Sequence, residues 1–563
     1  MGISLFSLAH LAQLPLALAA KTWTVGQTVN TTSGLLLGHP SEWAPDVSEY
    51  LGIPFAQAPV DSLRWAAPVR YSSTASFNAS DFGNTCPRLG GNVLNATNKA
   101  FANVTNVGAA ILGLQGAPND TFSEDCLTAN VWTKPQTGDA SKPVIVFIHG
   151  GGFSSGACTN PFESGAVFAD EQDVVFVTFN YRLSIFGFPG HTNTDKVPYN
   201  LGLLDQRLAV EWVRDNVKAF GGDPSRITLF GSSAGAASAD YHSYAHVDEP
   251  IASSFIPASG TVTAFGAITS QAAAEKWFEV SKTLGCGGSS AGVDDVLACM
   301  RGKSTGEVMA AIPPVTGFSA VQSSFTATVD DTLVFADYSD RTPAKLPLLI
   351  GSNDAEAELF EVTSALKGKT FGGSFWAGVT NAIFTCPVAL RANWSLNADQ
   401  PTWRYRFSAA FPNTHLSTNG YSGAWHGSQN VILFGNSRLS GDADTTEEKD
   451  FAAYLRGAWA AFARDPQSGL VDYGWPIYSP GKDTLVELSG QDGRKASFVN
   501  GDEYDLNCTP IAVVTGTPTV KATPSAMGSG SDSSTSASGN DSGNLLPPSL
   551  GVISVLITSL FIR

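Results

Sequence analysis

The chain has 563 residues, of which 43% are hydrophobic and 15% are charged, so it is long enough to bury a large core. It carries 50 acidic and 33 basic side chains, for a net charge of −17, and such an acidic chain repels polyphosphates. The composition therefore excludes nucleic acid as a predicted partner.

The first 20 residues have the form of a secretory signal. They contain no charged side chain and end in small residues around Ala17, Ala19 and Ala20, so cleavage is predicted near Ala19 or Ala20. Sequons that accept N-glycans in the secretory pathway occur at Asn30, Asn78, Asn95, Asn103, Asn119, Asn393 and Asn507. We therefore expect a secreted or cell-surface glycoprotein from a compartment that permits disulfides.

Four short apolar runs, at 144–150, 174–181, 227–231 and 346–351, are typical of buried parallel strands. Between the second and third runs, residues 202–222 have apolar positions at close to 3.6-residue spacing and end in a Gly-Gly pair. This pattern predicts a helix between two strands, and the alternation predicts an α/β fold.

HGGGF at 149–153 directly follows the first apolar run. Three consecutive glycines let backbone N–H groups converge on a developing oxyanion with no side chain in the way. The alternative is an ordinary flexible turn. The segment becomes a predicted oxyanion hole if a nucleophilic serine follows it in the chain.

The pattern Gly-X-Ser-X-Gly occurs three times, and it places a nucleophile only where a strand, a sharp turn and a helix follow one another. Ser290 follows a helical pattern and lies in a loop rich in Gly and Ser. Ser154 follows the glycine triplet, and no helical period comes after it. Ser233 follows an apolar run and precedes small residues that can start a helix close to a sheet. Ser233 is the predicted nucleophile.

A nucleophilic serine needs an imidazole base and a carboxylate that orients the imidazole. His415 and His426 are the two histidines that follow the fourth apolar run, as the order Ser, acid, His requires. His426 is preferred because Gly423 and Gly427 allow its loop to place the ring, whereas His415 lies in a polar stretch. The residues themselves leave four candidate acids: Asp354, Glu356, Glu358 and Glu361.

The seven cysteines form no CxxC pair and no Cys/His cluster at zinc spacing. Neither a metal nor another cofactor is therefore predicted. Because the number of cysteines is odd, at least one thiol lies outside any disulfide within the chain.

The C-terminal part of the chain changes composition. Residues 515–544 are rich in Ser, Gly and Thr and too poor in apolar residues to fold, which predicts a stalk. Residues 545–563 are apolar, but Pro547 and Pro548 shorten the uninterrupted run to about 14 residues, below the roughly 20 that span a bilayer. Small residues, a polar spacer and an apolar tail predict a glycosylphosphatidylinositol (GPI) anchor, which would be the only membrane contact. Candidate attachment residues are Ser538, Gly539 and Asn540.

Several segments together resemble the type-B carboxylesterase/lipase family, which includes the cholinesterases and the non-catalytic neuroligins. They are YLGIPFAQAP (50–59), SEDCLTANVW (123–132), HGGGF, FNYRLSIFGF (179–188), the stretch 200–235 that ends in GSSAG, GSNDAEA and AWHGSQ. The resemblance covers about 21–510. It implies an α/β-hydrolase fold, with a large, mostly parallel central sheet flanked by helices, in a catalytic domain of residues 21–514.

The resemblance also implies roles for single residues. Ser233 is similar to the nucleophile and His426 to the base, and Glu356 is similar to the acid because GSNDAEA matches the family pattern GxNxDEG. The implied oxyanion donors are the backbone N–H groups of Gly151, Gly152 and Ala234. The implied disulfides are Cys86–Cys126, Cys286–Cys299 and Cys386–Cys508, which leave Cys158 over. The chain departs from the family pattern at Ser232, Ala357 and Gln429.

The predicted function is hydrolysis of a small-molecule or lipid carboxylic ester through an acyl-enzyme. One alternative is a lipase whose lid is the apolar segment 107–116, although Ala109, Ile111, Leu112 and Leu114 would equally well cover the core. Another is a catalytically silent, neuroligin-like adhesion domain. A cholinesterase is disfavoured because residues 87–125 contain no Trp or Tyr to face a quaternary ammonium.

Overall fold

The computed structural model describes residues 23–89, 96–115, 120–136, 141–191, 195–313, 325–418, 423–490, 493–506 and 508. The predicted signal segment (1–20), stalk (515–544) and tail (545–563) lie outside these residues. So do three of the sequons, at Asn95, Asn119 and Asn507. Within the described ranges, no helix is long and apolar enough to cross a bilayer.

The strands of the described residues form a three-stranded and an eleven-stranded sheet. In chain order they are β1 (Val29–Thr31), β2 (Gly34–Leu37), β3 (His39–Pro40), β4 (Ser48–Pro54), β5 (Ser76–Asn78), β6 (Thr128–Thr133), β7 (Lys142–Ile148), β8 (Val175–Phe179), β9 (Gly222–Ser232), β10 (Ser254–Ala258), β11 (Leu348–Asn353), β12 (Thr402–Phe407), β13 (Asp483–Leu488) and β14 (Ser497–Asn500). The small sheet has the order β1-β2-β5.

The large sheet has the order β14-β13-β12-β11-β10-β9-β7-β8-β6-β4-β3. From β13 to β8 every neighbouring pair is parallel, and the pairs outside this range are antiparallel. Helices pack against the sheet, so the predicted α/β-hydrolase fold is confirmed.

The helices of the described residues, α1 to α16 in chain order, are Ala96–Phe101, Asn106–Gln115, Ala166–Gln172, Ser184–Gly187, Leu201–Asn216, Ala234–Ala245, Ser270–Thr283, Val293–Arg301, Thr305–Ala310, Glu358–Leu366, Gly373–Thr380, Cys386–Asn397, Ser428–Leu433, Thr446–Arg464, Gly469–Asp472 and Asp502–Asp505. A π-helical turn, Asn381–Thr385, joins α11 to α12.

The four apolar runs form β7, β8, the end of β9 and β11, and the helical pattern forms α5. Strand β9 begins at Gly222, earlier than the run at 227 predicts, because Gly222 already pairs with Lys142 of β7. Strand β11 continues to Asn353, which pairs with Phe407 of β12. Both extensions depend on a neighbouring strand and not on local hydrophobicity.

Strand β7 shows why the apolar runs are continuous. Val144, Val146 and Ile148 belong to the core on one side of the sheet, and Ile145 and Phe147 belong to the core on the other side. A strand that is covered on both faces needs apolar residues at every position.

Three disulfides cross-link the described part of the chain: Cys86–Cys126, Cys286–Cys299 and Cys386–Cys508. They are the three pairs that the resemblance implies. Among the described cysteines, Cys158 is the one outside a bridge, and it is buried.

Candidate active site

Ser233 lies in the sharp turn between β9 and α6. Its backbone has φ +58° and ψ −123°, a conformation that residues other than glycine rarely adopt. A Cβ atom on Gly231 would lie 2.0 Å from the carbonyl oxygen of Gly235, and one on Gly235 would lie 2.0 Å from that of Ile148. Both glycines are therefore required by close backbone contacts, and the strained turn presents Ser233 at the carboxyl edge of the sheet.

The other two serines of this motif lie in different surroundings. Ser154 is in the turn after β7, where its hydroxyl donates to the carbonyl oxygen of Gly151 at 3.4 Å. Ser290 is exposed in the turn between α7 and α8. Neither serine lies in a turn that joins the end of a strand directly to the start of a helix.

The glycine loop at 150–152 lies against Ser233. A Cβ atom on Gly150 would lie only 2.9 Å from the Cβ atom of Ser233. Gly151 and Gly152 have φ values of +108° and +59°, which favour glycine. Ala234 is the first residue of α6, where backbone N–H groups lack partners within the helix. This arrangement suits the binding of an oxyanion next to Ser233.

His149 holds the beginning of the glycine loop. Its Nδ1 lies 2.9 Å from the carbonyl oxygen of Gly150, so Nδ1–H is the donor, and its ring stacks on Tyr181 at 4.5 Å. Burial, with a smaller contribution from the cation of Arg88, lowers the pKa of His149 to about 4. The ring is therefore neutral near pH 7 and acts as a fixed donor to the loop.

Glu356 and His426 form a buried hydrogen-bonded pair. Glu356 Oε2 lies 2.6 Å from His426 Nδ1, and the carboxylate is completely buried. Glu356 Oε1 accepts a 2.7 Å hydrogen bond from the backbone N–H of Asn353. Because both carboxylate oxygens are engaged, the ring of His426 has one orientation, in which Nε2 is available as a base.

The structure gives the other candidate acids different partners. Asp354 pairs with Arg406, Glu358 accepts a hydrogen bond from the backbone N–H of Gly423 at 3.2 Å, and Glu361 is exposed on α10. Of the four carboxylates, Glu356 is the one hydrogen-bonded to His426. His415 lies elsewhere, with its carbonyl oxygen accepting a hydrogen bond from the Thr105 hydroxyl.

The loop that carries Glu356 also holds the backbone of the loop that carries His426. The side-chain amide of Asn353 donates to the carbonyl oxygen of Trp425 at 2.7 Å. The backbone N–H of Ala355 donates to the carbonyl oxygen of Ala424 at 3.0 Å. Asn353 is part of the GSNDAEA motif, but the motif does not predict that its side chain is hydrogen-bonded to a residue 72 positions away.

A partly buried carboxyl lies behind the helix that follows His426. Glu163 accepts a 3.2 Å hydrogen bond from the side chain of Asn430 in α13. Burial raises the pKa of Glu163 to about 7.

Gln429, one of the departures from the family pattern, accepts a 3.0 Å hydrogen bond from the Tyr405 hydroxyl.

Two further predicted features concern the surface and metals. The described sequon asparagines, Asn30, Asn78, Asn103 and Asn393, are all exposed. Among the residues that the structure describes, no group of three or more His, Cys, Asp or Glu side chains is arranged to hold a metal ion.

The model of the carboxylesterase family matches residues 25–373 and 363–506. The chain is 32% identical over 508 residues to chlorogenic acid esterase of Aspergillus niger, which covers 86% of this chain and 94% of the relative. It is 30% identical over 527 residues to secreted lipase 5 of Gibberella zeae, with coverage of 87% and 96%. It is 33% identical over 328 residues to acetylcholinesterase of Gallus gallus, with coverage of 55% and 40%.

Proposed function

Because the chain belongs to the carboxylesterase family and is a carboxylic ester hydrolase, we propose that it cleaves its substrate through an acyl-enzyme on Ser233. The observation that carries this proposal is the buried 2.6 Å bond between Glu356 and His426. It lies at the sheet edge that also carries the strained turn of Ser233 and the glycine loop.

The first half of the reaction forms the acyl-enzyme. His426 Nε2 takes the proton of the Ser233 hydroxyl as Oγ attacks the ester carbonyl carbon. The carbonyl oxygen becomes an oxyanion, which accepts hydrogen bonds from the N–H groups of Gly151, Gly152 and Ala234. The tetrahedral intermediate then collapses, His426 gives its proton to the leaving alcohol, and the acyl group stays on Oγ.

The second half releases the acid. His426 takes a proton from a water molecule that attacks the acyl carbon, and it returns that proton to Ser233 Oγ as the carboxylic acid leaves. Glu356 stabilises the imidazolium that forms in each half. Its complete burial makes this stabilisation stronger than a solvated carboxylate would provide.

The test is Ser233→Ala, with Ser154→Ala and Ser290→Ala as matched controls. We expect Ser233→Ala to lose nearly all activity, about a millionfold in kcat by analogy with serine proteases, and both controls to keep most of it. A phosphonate that labels active serines should modify Ser233, as mapped by mass spectrometry. Labelling of Ser154 or Ser290 would refute the assignment, and a wild-type protein inert towards all esters would indicate the silent adhesion domain.

The substrate class that we propose is a small-molecule or lipid ester. One relative is named for chlorogenic acid and another is a lipase, so their names support both kinds of substrate. A series of p-nitrophenyl esters of increasing acyl length, measured beside an emulsified triglyceride, separates an esterase from a lipase. Hydrolysis of the emulsion with a preference for long acyl chains would favour the lipase.

We also propose that the protein is secreted after removal of residues 1–20, glycosylated, and held at the cell surface by a GPI anchor on the 515–544 stalk. The name of the Gibberella zeae relative supports secretion, and the exposure of the described sequons supports glycosylation. Phosphatidylinositol-specific phospholipase should release active enzyme from intact cells. Recovery of a peptide from the 545–563 tail in membrane-bound enzyme would contradict the anchor.

A further inference from the structure

The π-helical turn Asn381–Thr385 interrupts the helical run between α11 and α12. A π turn adds one residue to a helix, is rare, and occurs frequently at functional sites. Because each residue of an α-helix turns by about 100°, the extra residue changes which side chains face the sheet. Here the turn directs Phe384 toward His426.

The ring of Phe384 packs on the imidazole of His426, with 4.7 Å between ring centroids. Phe360 of α10 packs on the same imidazole at 5.2 Å and stacks on Phe384 at 6.1 Å. Phe384 is completely buried, so it touches the base and not the substrate. Glu356 is hydrogen-bonded to Nδ1 at the edge of the imidazole ring, and the two phenyl rings pack against the ring.

The residue before the π turn contacts the loop that carries the acid. The Thr380 hydroxyl accepts a 3.1 Å hydrogen bond from the backbone N–H of Ala357, which directly follows Glu356. One short segment, 380–384, therefore contacts both the loop of the acid and the ring of the base.

The same segment is linked to the turn of the nucleophile. Phe384 packs edge-on against Phe265 at 6.0 Å. Phe265 also lies beside Gly260, where an added Cβ atom would be 3.1 Å from the Phe265 ring and 2.3 Å from the carbonyl oxygen of Ser233. These contacts form a continuous packed path from the base to the backbone of Ser233.

We propose that the π turn positions the acid and the base for catalysis, and that Phe384 and Thr380 are positioning residues. This inference rests on the proposed function of Ser233, Glu356 and His426. A base that accepts the serine proton must lie within hydrogen-bond reach, and a displacement of about 1 Å can reduce the rate roughly a hundredfold. The packing of Phe384 and the hydrogen bond of Thr380 prevent such a displacement.

The first experiment compares Phe384→Leu with Phe462→Leu. Phe462 of α14 is equally buried and packs edge-on against Trp403 at 5.8 Å, so it controls for the loss of a core ring. We expect Phe384→Leu to lower kcat about tenfold or more while KM changes less than about twofold, because the variant misplaces a group that acts in the transition state. Phe462→Leu should retain the wild-type kcat.

The second experiment compares Thr380→Val with Thr380→Ser. Valine has nearly the shape of threonine but accepts no hydrogen bond from Ala357, whereas serine keeps the acceptor. We expect Thr380→Val to lower kcat about tenfold and Thr380→Ser to restore most of it. This pair keeps the inference testable if Phe384→Leu does not fold.

The outcomes separate the two proposals. The inference is overturned if Phe384→Leu and Phe462→Leu lose kcat equally. It is also overturned if Thr380→Val and Thr380→Ser lose kcat equally. Either result would show that the π turn contributes only general packing. Retention of activity by Ser233→Ala would instead overturn the proposed function. Both measurements use the full chain, at a temperature where circular dichroism shows each variant to be folded.

Discussion

Asn353 joins the loop of the acid to the loop of the base through both its side chain and its main chain. Its amide donates to the carbonyl oxygen of Trp425, and its backbone N–H donates to Glu356. The main chain and the side chain of one residue therefore orient both partners of the hydrogen-bonded pair.

Asn353→Asp should impair catalysis more than binding. The substitution turns a donor into a carboxylate that faces the Trp425 carbonyl oxygen and lies near Glu356, so we expect kcat to fall about tenfold to a hundredfold with little change in KM. Removing one partner of a buried hydrogen bond should also lower the free energy of unfolding by about 1–3 kcal/mol. Steady-state kinetics and urea unfolding measure the two effects.

Asn216→Asp is the matched control for Asn353→Asp. Asn216 is buried at the end of α5, and its amide donates to the carbonyl oxygen of Trp212 at 2.8 Å. This variant should lose stability but keep kcat. If both variants lose kcat equally, Asn353 has no special role in holding the two loops.

Glu163→Gln should change how stability depends on pH. The pKa of Glu163 rises from 4.5 to about 7 on folding, so the unfolded chain loses this proton at lower pH than the folded protein does. Wild-type stability should therefore fall, relative to the variant, as pH rises from about 4.5 to 7. Above pH 7 the variant should be more stable by about 3 kcal/mol, because each pKa unit corresponds to about 1.4 kcal/mol.

Urea unfolding at pH 4, 6 and 8 tests Glu163→Gln. Glutamine keeps an oxygen that accepts the hydrogen bond from Asn430, so only the charge is removed. Glu503→Gln, at an exposed position on α16, is the control and should leave the profile unchanged. Parallel pH profiles for wild type and Glu163→Gln would show that the carboxyl is hydrated in the folded protein.

At the scale of elements, helix α2 covers the loop that leads to His426. Ile111 and Leu112 are fully buried in a cluster that includes Trp425 and Val431. The backbone N–H of Thr105 donates to the carbonyl oxygen of Leu416 at 3.0 Å. This packing favours the view that the described part of the lid candidate, 107–115, covers the core.

Gly108→Ala should destabilise the protein although it improves helix propensity. An added Cβ atom at Gly108 would lie 2.1 Å from the carbonyl oxygen of Leu416, so α2 must move away from the segment before His426. We expect a loss of about 1–3 kcal/mol in the free energy of unfolding, together with a lower kcat. Urea unfolding and steady-state kinetics measure these effects.

Gly306→Ala in α9 is the matched control for Gly108→Ala. A Cβ atom there meets no other atom within 4 Å, so helix propensity should dominate and raise stability by about 0.5–1 kcal/mol. The two glycines should therefore respond with opposite signs. A stabilising Gly108→Ala would show that α2 is loosely packed and would favour the lid.

At the scale of the whole molecule, the disulfides differ in the length of chain that they close. Cys386–Cys508 joins residues 122 positions apart, whereas Cys286–Cys299 joins residues 13 positions apart. The long bridge connects the beginning of α12 to the end of the described chain. It therefore restricts the unfolded state more than the short bridge does.

The Cys386→Ser/Cys508→Ser double variant should lose more stability than the Cys286→Ser/Cys299→Ser double variant. Loop-closure entropy gives losses of about 5 and about 3 kcal/mol, respectively. Guanidinium unfolding of both variants under non-reducing conditions checks the order. An equal or reversed order would mean that strain or residual structure in the unfolded chain outweighs loop entropy.

The sequence by itself determined the features that depend on local pattern. Short-range periodicity predicts the alternation of apolar runs with α5. Glycines, where the backbone passes too close to leave room for a Cβ atom, predict the turn of Ser233 between a strand and a helix and the glycine loop at 150–152. The resemblance added the disulfide pairs, and the structure contains all three.

Only the tertiary structure decided which distant residues meet. Local pattern left four carboxylates as candidate acids, the resemblance indicated Glu356, and the packing of two loops 70 residues apart brings Glu356 to His426. No periodicity indicated that a π turn would place Phe384 on the same imidazole, or that α2 would lie against Leu416. Contacts of this kind depend on how strands and helices pack across the sheet, and the local sequence pattern does not predict that packing.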